Sequence, residues 1–186
     1  YKGKLPFSRQ SNKFYLVNVA SYEPRKGQDV LIKSLRRINS RIDIECYLIG
    51  MRLDWFFDKR LSLAGWRMPN IHLLGELPNE QVWSYLEAAD VFVLPSRDEA
   101  LPMSIVEAMY LGKGVIATRV GGVAEIIENE VNGLLVESEN AQDLEAAIRR
   151  LATDGELLDR LGKNAHKKVL ADLTISSFGE KWLGVI

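Results

Sequence analysis

The sequence predicts an α/β protein built on a doubly wound, Rossmann-like parallel sheet of about six strands with helices on both faces. Two observations support this fold class. Short apolar runs of strand length alternate with amphipathic stretches of about ten residues at helical spacing. The runs are apolar throughout, as in strands covered on both faces. Such alternation favours right-handed βαβ units and, for six strands, the order 3-2-1-4-5-6.

The individual elements follow from local patterns. A first buried strand is predicted at 14–20, and Val30, Leu31 and Leu35 then recur at helical spacing. The other predicted strands are 42–49, 71–74, 91–94, 115–118 and 134–136. Helices are predicted after Gly27, at 54–66, after Pro78, after Pro102, at 123–128 and over 141–186.

Composition places the chain among ordinary globular proteins. Its 186 residues suit one domain, and 47% of them are hydrophobic and 26% charged. The formal charge of -1 gives no electrostatic case for nucleic acid as a partner. No apolar run approaches the roughly 18 residues of a membrane span. We therefore expect a cytoplasmic protein without a transmembrane segment, while peripheral association with the cytoplasmic membrane face stays open.

The chain is expected to hold one domain and a short lead-in. Residues 1–13 are polar and basic and are interpreted as a lead-in or linker, and 14–186 as the domain. The sequence begins at Tyr1 without methionine, which indicates an excised piece of a longer chain. Its only cysteine, Cys46, lies in an apolar run and is expected in the core.

The most informative stretch is 90–112, where a buried strand, a charged loop and a helix follow one another. Pro102 suits the first helical position, and Gly112 suits the end of the helix. The first amide groups of such a helix have no intrahelical partner and carry partial positive charge, so they suit a phosphate. They belong to Met103, Ser104 and Ile105.

Two carboxylates accompany these amides. Glu99 lies in the loop before the helix, and Glu107 lies one turn inside it, beneath Met103 and Ser104. A carboxylate among apolar neighbours needs hydrogen-bond donors, which a pair of ribose hydroxyls would provide. Considered without their sequence context, a loop glutamate and a helix glutamate are more often solvated surface than a binding site.

Sheet topology predicts that two loops meet. Strands 1 and 4 flank the switch point of the predicted order, where ligands bind outside the carboxyl ends of the strands. The loops that follow these strands are 21–27 and 95–101. Lys26 would then face the helix that begins near Met103, so that a cation and free amides surround the same phosphates.

Several other nucleotide-binding and catalytic classes are disfavoured. The position after the first strand has no Gly-x-Gly-x-x-Gly, and no phosphate-binding loop ends in Gly-Lys-Ser/Thr. The chain has no HExxH motif and no Cys/His cluster, and His72 and His166 lie far apart. No Asp-x-Asp pair occurs, so a divalent metal is not implied. We expect no cofactor.

The spacing of Glu99 and Glu107 resembles the Glu-x7-Glu motif of retaining glycosyltransferases of family four, which have the GT-B fold. The resemblance extends over 14–171 and includes a Lys-Gly segment at Lys26, a segment at 71–77 and a Gly-Gly loop at Gly121. It implies the C-terminal, donor-binding lobe of such an enzyme, with the N-terminal acceptor domain absent from this chain. It also implies that this lobe alone binds donor but turns over slowly or not at all.

The resemblance implies a role for each matching residue. Lys26 would contact the donor diphosphate, Glu99 would lie by the donor sugar, and Glu107 would bind the ribose hydroxyls. We interpret Glu99 and Lys26 as catalytic. The donor-binding residues are Glu107, Met103, Ser104, Ile105, Leu101, Gly75, Leu77, Gly121, Gly122 and Arg25.

Three positions depart from the family pattern. The family usually has an arginine five residues before the lysine, where this chain has Ser21, so a phosphate cation is missing unless Arg25 or another residue replaces it. Ala100 stands where a glycine commonly follows the first glutamate. The usual Gly-x-Pro-Val is Gly112-Lys113-Gly114-Val115, a change that is expected to be neutral.

The implied reaction transfers a sugar from a UDP-, GDP- or ADP-sugar to an acceptor hydroxyl with retention of configuration. Lys26 and the helix amides would stabilise the diphosphate leaving group. The implied pathway is polysaccharide or glycolipid biosynthesis, with a sugar or lipid acceptor. Two alternatives stay open, namely a sugar-nucleotide epimerase of the same fold and a non-catalytic nucleotide-sugar-binding module.

Overall fold

The computed structural model describes residues 8–38, 42–100 and 102–172. Leu101 and the predicted helical stretch at 173–186 lie outside the described residues. Within the expected lead-in, the Arg9 guanidinium donates to the carbonyl of Ala88 at 2.6 Å. The lead-in therefore contacts the domain, and the first strand begins at Lys13, one residue earlier than predicted.

A six-stranded parallel sheet forms the centre of the molecule, with the predicted order 3-2-1-4-5-6 confirmed. Each strand lies within two residues of its predicted bounds. The strands are Lys13–Val19 (β1), Asp43–Ile49 (β2), Ile71–Gly75 (β3), Val91–Leu94 (β4), Gly114–Thr118 (β5) and Leu134–Val136 (β6).

Seven helices lie among the described residues, together with a 3₁₀ turn at Pro24–Lys26. They are Gln28–Leu35 (α1), Trp55–Trp66 (α2), Asn79–Ala88 (α3), Met103–Tyr110 (α4), Val123–Ile126 (α5), Ala141–Thr153 (α6) and Gly155–Asp172 (α7). Pro102 precedes α4 in an extended conformation, so it does not take the predicted first helical position. None of the described helices is long and apolar enough to cross a membrane.

Alternating side chains of the strands build two apolar layers, one on each face of the sheet. Leu16 and Val91 belong to the layer covered by α1, α2 and α6, whereas Val17 and Phe92 belong to the layer covered by α3, α4 and α5. Cys46 is fully buried in the first layer, and burial raises its pKa to about 12, as expected for a core thiol. Helices on both faces are thus confirmed.

The long helix α7 contributes to both layers. Its first half places Leu157 and Leu161 in the first layer, and its second half places Ala165 and Val169 in the second. The His166 ring nitrogen Nδ1 bonds the carbonyl of Tyr110 at the end of α4. Because of this packing, α7 joins the two faces and supports α4.

The strand order reverses between β1 and β4, which is the switch point of the sheet. These strands pair at Leu16 with Val91 and at Val17 with Phe92. One position further on, the fully buried Asn18 side chain donates to the Val93 carbonyl at 2.8 Å. This side-chain hydrogen bond extends the contact between β1 and β4 at the switch point. The two predicted loops begin just beyond it.

The Gly27 position has no room for a side chain. Gly27 has a φ of +69°, and a Cβ built on it would lie 1.9 Å from the carbonyl oxygen of Pro95. We expect Gly27→Ala to lower the free energy of unfolding by about 2–4 kcal/mol, since it adds left-handed strain to a backbone clash. Urea denaturation would measure this loss. Gly155→Ala is the control, because a Cβ there meets no atom within 4 Å and should be neutral or slightly stabilising.

Candidate functional site

The loops that follow β1 and β4 meet, as the topology predicts. The Lys26 ammonium Nζ lies 2.7 Å from Glu99 Oε1, although the two residues are far apart in the chain. The side chain of Lys26 is 15% exposed and that of Glu99 is 6% exposed. The two candidate catalytic residues therefore form a largely buried ion pair at the carboxyl edge of the sheet.

The Glu99 carboxylate has a second donor. The Ser96 hydroxyl donates to Glu99 Oε1 at 2.8 Å, and the carbonyl of Ser96 in turn accepts from the hydroxyl of Thr118 at the end of β5. A buried carboxylate is costly unless donors satisfy it, and here an ammonium and a hydroxyl share one oxygen. This arrangement fixes the position of the Glu99 side chain relative to β5.

The glycine pair after β5 packs directly on the backbone of Glu99. The Gly122 amide donates to the Glu99 carbonyl at 3.1 Å. Gly121 has a φ of +46°, and a Cβ on it would lie 1.7 Å from the same carbonyl oxygen. The two glycines are therefore required by close approach to the glutamate loop, and the structure brings Gly121 and Gly122 together with Glu99 and Lys26.

Arg97 ties three loops together, and the sequence did not predict this role. Its guanidinium forms a bidentate pair with Asp29 at 3.0 and 3.1 Å and donates to Glu139 at 2.9 Å. It also bonds the carbonyl of Pro24, while the Arg97 amide donates to the Arg25 carbonyl at 2.7 Å. The hydrogen bond to Asp29 raises the pKa of Arg97. The neighbourhood of Glu99 is thereby fixed to the loop that holds Lys26.

The first turn of α4 departs from the prediction in one respect. Met103 is exposed and Ser104 half-buried, but the Ile105 amide donates to the Pro102 carbonyl at 3.0 Å. The side chain of Ile105 is fully buried in the core. The expectation that the Ile105 amide is free for a ligand was therefore wrong, because the turn before the helix already uses it. Met103 and Ser104 are left as the candidate amide donors.

Glu107 lies one turn into α4, as predicted. It is half-buried, and burial raises the pKa of its carboxyl group above the usual value of 4.5. A raised pKa of this origin reflects poor solvation of the charged form. Hydrogen-bond donors from a ligand would therefore stabilise the ionised carboxylate.

A second group of site residues lies at the end of β3. The Gly75 amide donates to the Tyr22 hydroxyl at 3.2 Å, and that hydroxyl donates to the Leu48 carbonyl at 2.6 Å. Tyr22 is fully buried, and burial raises its pKa to about 12. Leu77 follows as a half-buried residue. Tyr22 belongs to the loop after β1, so it connects Gly75 to the same loop as Lys26.

Arg52, which the sequence did not single out, lies beside Gly75. Its guanidinium carbon is 5.8 Å from the centroid of the Tyr22 ring, and its Nη1 is 3.1 Å from Asp58 Oδ2. Its side chain is about half exposed. No local motif marks this arginine, because its relation to Gly75 depends on the neighbouring positions of β2 and β3.

Ser21 and Arg25 share one acidic partner on the loop after β1. The Ser21 hydroxyl donates to Glu23 Oε1 at 2.7 Å, and the half-exposed Arg25 bonds the same oxygen at 3.2 Å. These hydrogen bonds lower the pKa of Glu23. Arg25 is therefore a cation on the same loop as Lys26, but its ion pair with Glu23 holds it at the surface.

No group of three or more potential ligands that could hold a metal ion occurs among the described residues. His72 bonds Glu45 at 2.7 Å and stacks on Tyr47 with ring centroids 4.6 Å apart. These contacts explain His72 as a structural residue of β3.

The family relationship is clear from comparison with known proteins. A family model described as "Glycosyl transferases group 1" matches residues 4–168. An uncharacterized glycosyltransferase of Methanocaldococcus jannaschii is 37% identical over 148 residues, which are 78% of this chain and 40% of that protein. An Escherichia coli protein named UDP-Gal:alpha-D-GlcNAc-diphosphoundecaprenol alpha-1,3-galactosyltransferase is 34% identical over 66% of this chain and 28% of its own length.

Solved structures share the fold. The Anabaena protein HepE, in a complex with UDP and glucose, superposes with a TM-score of 0.81 and 26% identity over 95% of this chain and 49% of its own. The fold is that of the C-terminal lobe of GT-B glycosyltransferases. The chain spans about half the length of that solved structure and less than half of the two relatives above.

The Arg97 contacts should stabilise the loops that form the site. We expect Arg97→Ala to lower the free energy of unfolding by about 1–3 kcal/mol, because it leaves the half-buried Asp29 without its cation. Arg150→Ala is the matched control, since Arg150 also forms a bidentate pair, with Glu130, but both side chains are about half exposed. Arg150→Ala should lower the free energy of unfolding by about 0–1 kcal/mol. Equal losses in denaturant titrations would contradict a special role for Arg97.

Proposed function

Because the chain belongs to the group 1 family of glycosyl transferases, we propose that it binds a nucleoside-diphosphate sugar for transfer to an acceptor hydroxyl with retention of anomeric configuration. The observation that carries this proposal is the Lys26–Glu99 pair at the switch point, packed against the Gly121–Gly122 turn. The complex of HepE with UDP and glucose supports the donor class and makes UDP the first nucleotide to test.

The diphosphate of the donor would lie between Lys26 and the start of α4. Lys26 supplies a cation that is already directed into the site, and the Met103 and Ser104 amides supply partial positive charge at the helix N-terminus. Arg25 lies on the same loop and can add a second cation if it leaves Glu23. In this proposal Arg25 replaces the arginine that the family usually has at the position of Ser21.

The nucleoside would extend from the diphosphate towards β3. Glu107 would accept hydrogen bonds from two ribose hydroxyls, which provides the donors that its half-buried carboxylate needs. The backbone near Gly75 and Leu77 would border the base, beside Arg52. Leu101 retains its proposed donor-binding role as an expectation from the family pattern.

In the proposed reaction the bond between the anomeric carbon and the diphosphate oxygen breaks, and the acceptor oxygen forms its bond to that carbon on the same face. The proton of the acceptor hydroxyl passes to the leaving diphosphate. Negative charge grows on the diphosphate as the bond breaks, so Lys26 and the helix amides stabilise the transition state more than the ground state. No step requires a metal ion.

Glu99 would gain new hydrogen-bond partners when the donor arrives. Without donor it holds Lys26 at 2.7 Å; with a diphosphate present, Lys26 gains a second anion and shares its three donors. The Glu99 carboxylate can then accept from sugar hydroxyls while Ser96 keeps it in place. Glu99 would thus position the donor sugar without becoming a nucleophile.

The complete reaction is proposed to need more than this chain. The chain spans 40% of the M. jannaschii relative, so the acceptor site is assigned to a second, N-terminal domain of the GT-B type. The E. coli relative is named for an acceptor with a diphosphoundecaprenol group, which favours a sugar or lipid acceptor here. The relatives described above are named as transferases, and no observation favours an epimerase or a non-catalytic module.

Calorimetric titration of the chain with UDP, GDP, ADP and NAD tests the proposal. We expect one nucleoside diphosphate to bind and NAD not to bind. Lys26→Ala and Glu107→Ala should each weaken that binding by about 1–3 kcal/mol, as for a lost charged hydrogen bond. Lys163→Ala is the control, because this lysine is exposed on α7. A folded chain that binds none of the nucleotides would contradict the proposal.

The affinity for the nucleotide should depend on pH through Glu107. Its pKa is raised, so it becomes protonated at a higher pH than an ordinary glutamate as the solution is acidified. The protonated carboxyl group is a poorer acceptor, and binding should weaken as pH falls through that raised pKa. The terminal phosphate of the nucleotide has a pKa of about 6, and its protonation also weakens binding. The contribution of Glu107 is therefore the difference between the wild type and Glu107→Gln; identical pH profiles would contradict it.

A further inference from the structure

The helix α2 exposes an apolar and basic face to solvent. Its large side chains Trp55, Phe56, Leu63 and Trp66 are 63%, 77%, 62% and 81% exposed. Lys59 and Arg60 lie between them on the same side of the helix, and Arg67 follows as the residue that caps its C-terminus. We call these seven residues the α2 face: Trp55, Phe56, Lys59, Arg60, Leu63, Trp66 and Arg67.

The α2 face is separate from the side of the helix that enters the core. Phe57 and Leu61 are buried in the first layer, so α2 carries large apolar side chains on both sides. At 3.6 residues per turn, the α2 face covers an arc of about 140° with no acidic residue in it. An ordinary surface helix has a mainly polar outer face, whereas this one combines four large apolar side chains with basic ones.

The acids nearest to the α2 face are already engaged. Asp54 accepts from the Phe57 amide at 2.8 Å as the cap of the helix. Asp58 is buried on the other side and pairs with Arg52. The three basic side chains of the α2 face are therefore not neutralised by carboxylates of their own helix.

Exposed apolar side chains are concentrated in this region. The described residues include ten large apolar side chains that are exposed, and six of them lie within 51–66. Four of these six belong to the α2 face. The other two, Met51 and Leu53, lie in the loop that leads into α2. Scattered exposed apolar residues need no explanation, but a contiguous patch marks an interaction surface.

A basic groove adjoins the α2 face. Lys33 of α1 and Arg36, the residue after that helix, line it together with Arg60, Leu63 and Arg67. The Arg36 guanidinium donates to the Ala64 carbonyl at 3.4 Å, which keeps it beside the helix. The acid of this groove, Asp29, is bidentate with Arg97, so the positive charge of the groove is not balanced there.

We propose that the α2 face docks on an anionic lipid bilayer. Tryptophan and phenylalanine rings suit the boundary between headgroups and acyl chains, and interleaved lysine and arginine side chains reach lipid phosphates. Basic residues near an anionic membrane surface add to its attraction. Charge complementarity with anionic headgroups, together with apolar side chains that enter the headgroup layer, identifies the bilayer as the partner. The α2 helix would lie parallel to the membrane plane.

Sedimentation with lipid vesicles tests this docking surface. The chain should bind vesicles that contain phosphatidylglycerol and bind pure phosphatidylcholine vesicles far less, with weaker binding at higher salt. Arg60→Gln and Arg67→Gln should each reduce the partition coefficient by roughly five-fold, the effect of one basic charge at the surface. Phe56→Ser and Trp66→Ser should reduce it further by removing the inserted apolar groups.

Matched controls come from exposed residues outside the α2 face. Leu170→Ser removes an apolar side chain that is 49% exposed on α7, and Lys163→Gln removes a basic charge from the same helix. Both should leave vesicle binding unchanged. Trp fluorescence offers a second measurement, in which brominated lipids should quench the wild type more than Trp66→Phe. These controls distinguish the α2 face from general adhesion of a basic surface.

Three outcomes would overturn the proposal. The first is absence of binding to phosphatidylglycerol vesicles by the folded chain. The second is equal loss of binding in the α2 variants and in the controls. The third is a dimer in sedimentation velocity that Trp66→Ser disperses while vesicles are not bound, which would assign the face to a second copy of this chain. Nucleotide titration is independent of all three.

Discussion

The buried carboxylate of Glu99 is the group around which the carboxyl edge of the sheet is built. Removing a carboxylate from water is costly, and this one is compensated by the Lys26 ammonium and the Ser96 hydroxyl. Lys26 lies in the loop after β1, whereas Ser96 lies with Glu99 in the loop after β4. Pairing the Glu99 carboxylate with both donors therefore requires β1 and β4 to be in register. The ordinary electrostatics of burial thus assembles residues that are far apart in the chain into one site.

Close backbone packing supports that electrostatic arrangement. Gly27 against Pro95 and Gly121 against Glu99 are contacts of main chain on main chain, at distances that leave no space for a Cβ. Arg97 adds ion pairs from the loop after β4 to Asp29 in α1 and to Glu139 in the loop after β6. The backbone of the site is therefore closely packed along the β1 to β4 border, and a ligand would enter between preformed walls. Pre-organisation of this kind reduces the ordering cost of binding.

Much of the fold was predictable because the signals are periodic and the topology follows general rules. The alternation of apolar runs with amphipathic helices determined the strand order, and that order brought Lys26 and Glu99 together. Residues whose role depends on distant partners escaped prediction. Arg97 pairs with Asp29, which is 68 residues away in the chain, and the Tyr22 hydroxyl accepts a hydrogen bond from the Gly75 amide, 53 residues away. The Ile105 amide was misjudged because the turn at Pro102 could not be derived from helix propensity.

The position of α7 has a consequence for the order in which the protein matures during synthesis. The helix α4, which carries Met103, Ser104 and Glu107, rests on α7, and α7 also closes both apolar layers. A ribosome extends the chain from its N-terminus, at about 5–20 residues per second. The strands and α4 therefore leave the ribosome several seconds before the helix that supports them. During that interval the nascent chain exposes apolar surface beside an unsupported α4, which is the state that chaperones protect.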